Sequence, residues 1–346
     1  MVPTIAQTVP YSMPDHKPRI GIIGAGLVTP FHALGVRAVG AELAFVASRS
    51  TANAGRWADL LQTQACRFDE LDTVLRHPPD LVIIASPDHL HAAHARLALQ
   101  AGAGVLVEKP LTQTMDEATA LLNTVQPVFY AENHVHAPVL QRLKQRVHQP
   151  RQIKACFSHA GPMQGSQSVT DSGIPAPSAW FDLGSHLVTT VAWLVSSDMN
   201  RGLQQLQWHS VEPHVRHGVI QRMVVTGQIG QTTVTLEASW QADHSGACHY
   251  WVEDAGLAVV VDPLLPSGLW SADLVDKAAT PGSLTAYCSV NNADQLWLPE
   301  TTNDVARLGG YVQQIQQVLQ QAPVSAGLPN GLTGLLTVQQ LQAAMR

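Results

Sequence analysis

A short apolar segment, Arg19–Ile23, runs directly into Gly24-Ala25-Gly26. A strand that enters a glycine turn and then a helix constrains the fold strongly, because the first glycine permits the tight turn and the second lets another group approach the backbone. The helix N-terminus that follows carries partial positive charge, which suits a phosphate. Thr29 stands where the full pattern requires a third Gly or Ala. Strand context nevertheless predicts a dinucleotide-binding turn that also includes Leu27 and Val28.

Short apolar runs then alternate with longer helical stretches, as in a doubly wound parallel sheet covered on both faces. Predicted strands are Arg19–Ile23, Leu43–Ala47, Leu81–Ala85, Gly104–Val107 and Val128–Tyr130. Predicted helices are Ala52–Gln64, His91–Gln100, Met115–Thr124 and Val139–Val147. The order is that of a Rossmann domain.

The pattern changes after Gln149 to strand-like segments with period-two alternation, which favour an antiparallel sheet. They include Gln152–His159, Ile220–Gln228 and Thr232–Ser239, with predicted helices at Phe181–Val195, Val305–Leu319 and Leu332–Ala344 and a loop at Gly161–Ser178. We therefore expect an extension over 1–18, a Rossmann domain over 19–150, and an α+β domain with a large, mostly antiparallel open sheet over 151–346. The last helices are candidates for packing on the Rossmann domain.

Composition excludes several classes of protein. The net charge of -6 and the absence of a Lys/Arg run disfavour nucleic acid as a partner. The four cysteines are scattered singly, a spacing that resembles neither a zinc site nor a disulfide framework. No apolar run approaches the roughly 18 residues that a membrane span needs. The first 18 residues lack the pattern of a secretion signal, so we expect a cytoplasmic protein.

The end of the second predicted strand reads Ser48-Arg49-Ser50. A carboxylate at this point would bind the ribose 2'-hydroxyl of NAD, whereas a guanidinium flanked by hydroxyls suits the 2'-phosphate of NADP. The segment favours NADP over NAD. The alternative is a solvated loop arginine.

Three further segments follow strands or open helices: Ser86–His91, Glu108–Leu111, which contains the tripeptide Glu-Lys-Pro, and Phe181–His186. Together with the glycine turn and His32, they resemble the glucose-fructose oxidoreductase / inositol dehydrogenase / MocA family. The resemblance extends from about Arg19 to the final helix. It implies an NAD(P)-dependent dehydrogenase that transfers a hydride between the nicotinamide and a secondary alcohol or ketone of a sugar, cyclitol or related polyol.

Lys109 follows a predicted parallel strand, so its ammonium is expected in the crevice where such sheets bind ligands. The resemblance places this lysine beside the nicotinamide, with a hydrogen bond to the reacting oxygen. An exposed lysine in a solvated salt bridge is the alternative.

Asp182 and His186 are four residues apart, so a helix would carry both side chains on one face. The resemblance makes His186 the general acid/base, a task that suits an imidazole near neutral pH, and lets Asp182 bind substrate or hold the imidazole. A helix-surface pair is the alternative.

Other candidate contacts come from loops at the predicted strand ends and from the segment directly before Asp182. For the cofactor these are Ser86, Pro87, His91, Glu108 and Asn133; for the substrate they are His134, Trp180 and Phe181. Packing roles stay open for His91, His134 and both aromatic residues. Although the chain has 16 histidines, it has no metal-ligand spacing of the HExxH type, so we expect no metal.

Two other functions stay open. One is a catalytically silent dinucleotide-dependent sensor or regulator, and the other is an enzyme that uses tightly bound NAD transiently for elimination or hydrolysis. The resemblance also implies a homodimer or homotetramer that pairs through the C-terminal sheet.

Overall fold

A computed structural model describes residues 16–26, 28–159, 161, 178–241, 247–254, 257–261, 310–320 and 328–345. These residues belong to two compact units. The first unit holds the described residues up to 131 and those of 311–335, and the second holds those of 132–297, 306–310 and after 335. Several predicted features lie outside the described residues: Leu27, residues 1–15 of the extension, 162–177 of the predicted loop, and 305–309 of a predicted helix.

The first unit contains a six-stranded sheet in which all strands are parallel. The strands are β1 (Arg19–Ile23), β2 (Glu42–Ser48), β3 (Gln64–Arg67), β4 (Leu81–Ile84), β5 (Gly104–Glu108) and β6 (Val128–Ala131). Their order is β3-β2-β1-β4-β5-β6, which is the strand order of the Rossmann fold. All residues of β4 and β5 are buried, as expected for central strands with helices on both faces.

The second unit contains a mostly antiparallel sheet. Its strands are β7 (Gln152–Ser158), β8 (Leu206–Arg216), β9 (Val219–Ile229), β10 (Thr232–Ser239), β11 (Ala247–Asp254) and β12 (Leu257–Val261). The order is β12-β11-β7-β10-β9-β8, and only β7 and β10 pair in parallel among these described strands. The predicted fold class, a parallel Rossmann sheet followed by a mostly antiparallel sheet, is therefore confirmed.

The described α-helices are α1 (Thr29–Ala38), α2 (Thr51–Leu61), α3 (Leu71–Val74), α4 (His91–Ala101), α5 (Met115–Leu122), α6 (Pro138–Arg146), α7 (Ser185–Val195), α8 (Met199–Gln205), α9 (Tyr311–Gln320) and α10 (Gly331–Ala343). Local sequence sets several of their ends. The Ser50 side chain accepts the Asn53 amide and caps α2. Thr114 and Glu117 form a capping box at the start of α5.

One predicted helix has a different beginning. The sequence predicts a continuous α-helix over Phe181–Val195, but Trp180–Gly184 form a π-helical turn and α7 begins at Ser185. Such turns are rare and occur often at functional sites. Asp182 lies in this turn, whereas His186 lies in the first turn of α7. Since α7 contacts β7 and β10, the turn sits at one end of the helix that covers the second sheet.

Candidate functional site

The glycine turn after β1 needs its first glycine. Gly24 has a φ of +134°, a conformation that L side chains rarely adopt, and a Cβ there would lie 2.1 Å from the carbonyl oxygen of Ala85. The Gly24 amide donates to Ala47 at 2.9 Å, so the turn is tied to the end of β2. Any larger residue would collide with the backbone after β4.

The rest of the turn fits a pyrophosphate. Gly26 is exposed, and a Cβ there would meet no described atom within 4 Å, so the backbone is approachable. Thr29, which replaces the third glycine of the pattern, is buried and its hydroxyl donates to the Gly24 carbonyl at 3.1 Å. Val28 is the N-cap of α1 and makes no side-chain cap. Threonine at this position therefore adds a hydrogen bond within the turn and leaves the backbone at Gly26 approachable.

The end of β2 presents no carboxylate. Ser48 is buried, Arg49 is exposed, and Ser50 caps α2. β3 pairs in parallel with β2, with Arg67 opposite Ser48, so a second guanidinium lies at the same sheet edge. The Arg67 side chain donates to Asp69 at 2.9 Å, a contact that raises the pKa of Arg67.

Two histidines hold the loop after β4. His91 is buried, with Nε2 at 2.8 Å from the Ser86 carbonyl and Nδ1 at 2.8 Å from the Pro110 carbonyl, so one ring joins the loops that follow β4 and β5. His94 Nδ1 lies 3.0 Å from the Ser86 hydroxyl. Burial, helped by the nearby charges of His91 and His89, lowers the pKa of His94 to about 4. Pro87 is half-buried.

The end of β5 carries Glu108 and Lys109. Glu108 Oε1 lies 2.7 Å from Nε2 of the fully buried His32, and Glu108 Oε2 accepts the Lys109 amide at 3.2 Å. Lys109 itself is half-buried. Glu108 therefore fixes the backbone at Lys109 and joins it to α1, and the cofactor contact predicted for Glu108 stays a prediction.

A buried cluster in the second unit centres on Glu132, which follows β6. Its side chain has no exposed surface, and its Oε1 lies 2.8 Å from His186 Nδ1 and accepts the His134 amide at 3.2 Å. The rings of His134 and His186 stack with their centroids 4.2 Å apart and their planes 16° apart. Both histidines are buried.

The Glu132 contact determines which nitrogen of His186 is available to act as a base. A carboxylate accepts hydrogen bonds, so the Nδ1–H group donates to it and Nε2 carries the lone pair of the neutral ring. The nearby carboxylate also stabilises the imidazolium that forms when Nε2 takes a proton. The arrangement can therefore perform general acid/base chemistry.

His134 has its own buried partner. The Tyr250 hydroxyl lies 3.0 Å from His134 Nδ1, and Tyr250 has no exposed surface. Burial, followed by the charges of Cys248 and Glu132, raises the pKa of Tyr250 well above its ordinary value. The phenol therefore stays protonated.

Asp182 lies in the π-helical turn with two polar neighbours. Its Oδ2 accepts the indole N–H of Trp240 at 3.1 Å and lies 3.5 Å from His159 Nε2. The sequence left two roles open for Asp182, holding the imidazole of His186 or binding substrate. In the structure, the carboxylate that contacts Nδ1 of His186 belongs to Glu132 and not to Asp182.

Trp180 requires a correction, because the sequence names it as a candidate substrate contact. It is fully buried, its indole N–H donates to the Leu341 carbonyl at 3.1 Å, and its ring meets that of Trp208 edge to face. These contacts belong to core packing, the alternative that the sequence left open. Phe181 is half-buried, and Asn133 is buried in a single 3₁₀ turn, Asn133–His136.

One group within the described residues has the composition of a metal site. Glu132, His134 and His186 each offer a ligand atom, and these atoms lie within 4.8 Å of one another. The Nδ1 atoms of both histidines also take part in hydrogen bonds, His186 with Glu132 and His134 with Tyr250, so the same residues can share protons.

Comparison with known proteins identifies the family. Residues 18–127 match the sequence profile of GFO_IDH_MocA, an oxidoreductase family with an NAD-binding Rossmann fold. This match assigns residues 18–127, about a third of the chain, to the NAD-binding Rossmann part of that family. The resemblance inferred from the glycine turn and the Glu-Lys-Pro segment is thus confirmed. No described helix of the protein is long and apolar enough to cross a membrane.

Curated relatives match part of the chain. The UDP-N-acetylglucosamine 3-dehydrogenase of Acidithiobacillus ferrooxidans is 36% identical over 132 residues, which cover 37% of this chain and 41% of that one. Inositol 2-dehydrogenase 4 of Saccharopolyspora erythraea is 26% identical over 196 residues, or 54% of this chain and 56% of that one. The chain thus spans about half the length of these relatives.

A solved structure shares the fold of this protein. The crystal structure of GenD2 from gentamicin A biosynthesis, in complex with NAD, has a TM-score of 0.74 at 21% identity and covers 100% of this chain and 96% of that one.

Proposed function

We propose that this Gfo/Idh/MocA chain is an NAD(P)-dependent dehydrogenase that oxidises a secondary hydroxyl of a sugar, cyclitol or related polyol and catalyses the reverse reduction. The observation that carries the proposal is the 2.8 Å contact between His186 Nδ1 and the buried Glu132 carboxylate. It orients an imidazole as a base in a chain with an NAD-binding Rossmann fold. The two curated relatives, named as dehydrogenases of a sugar nucleotide and of inositol, support the substrate class.

The cofactor would be held by the turn after β1. The conformation of Gly24, the open side of Gly26 and the uncapped N-terminus of α1 suit a pyrophosphate. When bound, the cofactor supplies the nicotinamide C4 that accepts the hydride. Further proposed contacts are Ala25, Val28, Ser86, Pro87, His91, Glu108 and Asn133.

Each catalytic residue has a separate role in the proposed reaction. The C–H bond of the carbinol breaks with its electron pair leaving as hydride, the hydroxyl proton passes to His186 Nε2, and a ketone forms. Glu132 stabilises the resulting imidazolium. The Lys109 ammonium donates to the reacting oxygen and stabilises its developing negative charge.

Asp182 would bind a substrate hydroxyl. Its carboxylate is held by the Trp240 indole, so the oxygen acceptors have a fixed direction before substrate arrives. Phe181 and His134 are proposed as neighbouring substrate contacts.

We further propose that NADP is the preferred cofactor. Support comes from the end of β2, where Arg49 is exposed and no acid stands, and from Arg67 opposite Ser48 on β3. Two guanidinium groups at one sheet edge suit a 2'-phosphate by charge and by their fork of donors.

The experiment is to incubate the purified protein with NADP or NAD and a panel that contains myo-inositol, UDP-N-acetylglucosamine and glucose, and to record reduced nicotinamide by absorbance. Lys109→Ala should abolish turnover while cofactor binding persists, because its charge acts on the reacting oxygen. Lys154→Ala, at an exposed position of β7, is the matched control and should retain activity.

Two outcomes would contradict this function. Cofactor binding without any product across a broad polyol panel would favour a sensor or regulator. Product formed by elimination or hydrolysis, with no free reduced cofactor, would favour transient use of bound NAD.

We also propose a homodimer or homotetramer that pairs through the second sheet. Val211 and Val215 on β8 are exposed apolar residues of that sheet. Light scattering at micromolar concentration tests the proposal, and a strictly monomeric protein would refute it.

A further inference from the structure

The two stacked histidines are anchored at the same ring atom by partners of different chemistry. Nδ1 of His186 faces the Glu132 carboxylate at 2.8 Å, and Nδ1 of His134 faces the Tyr250 hydroxyl at 3.0 Å. A carboxylate accepts a hydrogen bond, whereas a phenol donates or accepts. The two partners can therefore impose different tautomers on rings that lie 4.2 Å apart.

The direction of the Tyr250 hydroxyl decides the tautomer of His134. The phenol is fully buried and stays protonated, because burial and then the charges of Cys248 and Glu132 raise the pKa of Tyr250. Cys248 and Thr190 also adjoin the hydroxyl. The Thr190 contact lowers the pKa of Tyr250, as a hydroxyl that donates to the phenol oxygen does, so Thr190 does not take the phenol proton. Since an imidazole nitrogen accepts a hydrogen bond better than the Cys248 sulfur does, the phenol proton is directed to His134.

We propose that Tyr250 keeps the ring proton of His134 on Nε2, so that His134 and His186 present one donor and one acceptor nitrogen to neighbouring hydroxyls of a vicinal diol. Tyr250 is then a positioning residue, since it acts through His134. The substrate part of this proposal rests on the proposed dehydrogenase function, whereas the tautomer part does not.

The stacked pair explains why a diol suits the site. The reacting hydroxyl donates its proton to His186 Nε2, and the oxygen of the adjacent hydroxyl accepts from the His134 Nε2–H group. Because the rings stack closely, a small ligand bound to one ring lies within reach of the other. A neutral His134 also avoids like-charge repulsion when His186 takes up the proton.

The tautomers can be observed directly in the full-length protein labelled with ¹⁵N-histidine, by long-range ¹H–¹⁵N correlation at neutral pH. His134→Gln and His186→Gln variants identify the two sets of signals. We expect His134 to be protonated at Nε2 and His186 at Nδ1. Tyr250→Phe should move His134 toward the Nδ1–H tautomer or a mixture, whereas Tyr311→Phe, the phenol control in α9, should not.

The spectra also contain the result that would overturn the proposal. If His134 is protonated at Nδ1 in the wild type, the phenol accepts from the ring and directs its proton elsewhere. If Tyr250→Phe leaves the His134 tautomer unchanged in a folded protein, Tyr250 does not set it. A metal ion on the two nitrogens would appear as signals that a chelator changes, and would equally refute the assignment.

Kinetics test the diol part of the proposal. The two substrates are a panel member that the enzyme oxidises and an analogue of it that lacks the adjacent hydroxyl. His134→Leu should raise KM for the diol about tenfold more than KM for the deoxy analogue, the value of one hydrogen bond. His134→Gln restores a donor near the Nε2 position and should recover most of the loss.

A double-mutant cycle separates positioning from folding. In the wild-type background, Tyr250→Phe should raise KM for the diol with little change in kcat. In the His134→Gln background its effect on KM should be smaller, because a glutamine side chain has no ring tautomers. Equal effects in both backgrounds would show a merely structural role. If no panel member is oxidised, the dehydrogenase function fails, while the spectra still decide the tautomer.

Discussion

Nδ1 of His186 lies 2.8 Å from Oε1 of Glu132, although the two residues are 54 positions apart in the chain. Glu132 directly follows β6, and His186 lies in the first turn of α7, so the contact forms only when the second unit folds. The buried carboxylate fixes the orientation of the ring and, in the proposed reaction, the nitrogen that acts as base.

Glu132→Gln should therefore lower kcat about 100- to 10,000-fold, the range for general acid/base catalysis, because an amide neither fixes the tautomer nor stabilises the imidazolium. Cofactor affinity should not change. Steady-state kinetics and a cofactor fluorescence titration measure the two effects.

The control is Glu212→Gln, the same chemical change at an exposed position of β8. It should leave kcat unchanged. An active Glu132→Gln enzyme would show that the carboxylate is a packing residue and would remove the basis for His186 as the base.

The two glycines of the turn after β1 provide a second prediction. Gly24→Ala should destabilise the protein by about 3 kcal/mol or more, because its Cβ meets backbone at 2.1 Å and its φ of +134° is strained for alanine. Gly26→Ala should change the free energy of unfolding by less than about 0.5 kcal/mol, because its Cβ meets no described atom.

Gly26→Ala should nevertheless weaken cofactor binding, since the methyl group lies where the backbone is approached. Urea unfolding and cofactor titration of both variants separate the two roles. Full cofactor affinity in a folded Gly26→Ala protein would place the pyrophosphate elsewhere.

The sequence predicts the first sheet well because its central strands are continuous apolar runs. The predicted β1 has the observed bounds, and β2, β4, β5 and β6 differ by one residue at their ends. The prediction lacks β3, since Gln64–Arg67 is a four-residue edge strand with a single buried residue and has no apolar pattern.

The second sheet shows where periodicity fails. β10 has the predicted bounds, and its buried and exposed residues alternate. β8 was not predicted, because nearly all of it beyond Leu206 is exposed and the strand is held by pairing with β9 rather than by a buried face.

The residues of the candidate site also differ in how well the sequence predicts them. Lys109, Asp182 and His186 stand in local segments that a family resemblance can assign. Glu132 and Tyr250 carry no such local signal, because their partners lie 54 and 116 positions away. The one available hint for Glu132 was its place after the last parallel strand, next to Asn133 and His134.

Cofactor preference gives a third prediction. Arg49→Ala should lower the ratio of kcat/KM for NADP to that for NAD about 10- to 100-fold, because a charged hydrogen bond to the 2'-phosphate is lost. Arg67→Ala should act in the same direction but more weakly, since Arg67 also binds Asp69.

Arg76→Ala, at an exposed position after α3, is the matched control and should leave the ratio unchanged. Kinetics with NADP and with NAD measure this ratio. If wild type already prefers NAD and Arg49→Ala has no effect, Arg49 is a solvated loop residue.

The last prediction concerns His94, whose folded pKa of about 4 lies below its ordinary value of 6.5 because of burial. Between these two values the unfolded chain binds a proton that the folded protein does not, so stability falls as pH drops from about 6.5 toward 4 and is constant above that range. The loss should reach about 3 kcal/mol at the acid end.

His94→Asn, which retains a polar partner for Ser86, should remove this contribution, whereas His77→Asn at an exposed position should not. Urea unfolding at about pH 4.5 and pH 7.5 measures the difference for each variant. An identical acid loss in wild type and His94→Asn would mean that other groups drive the destabilisation.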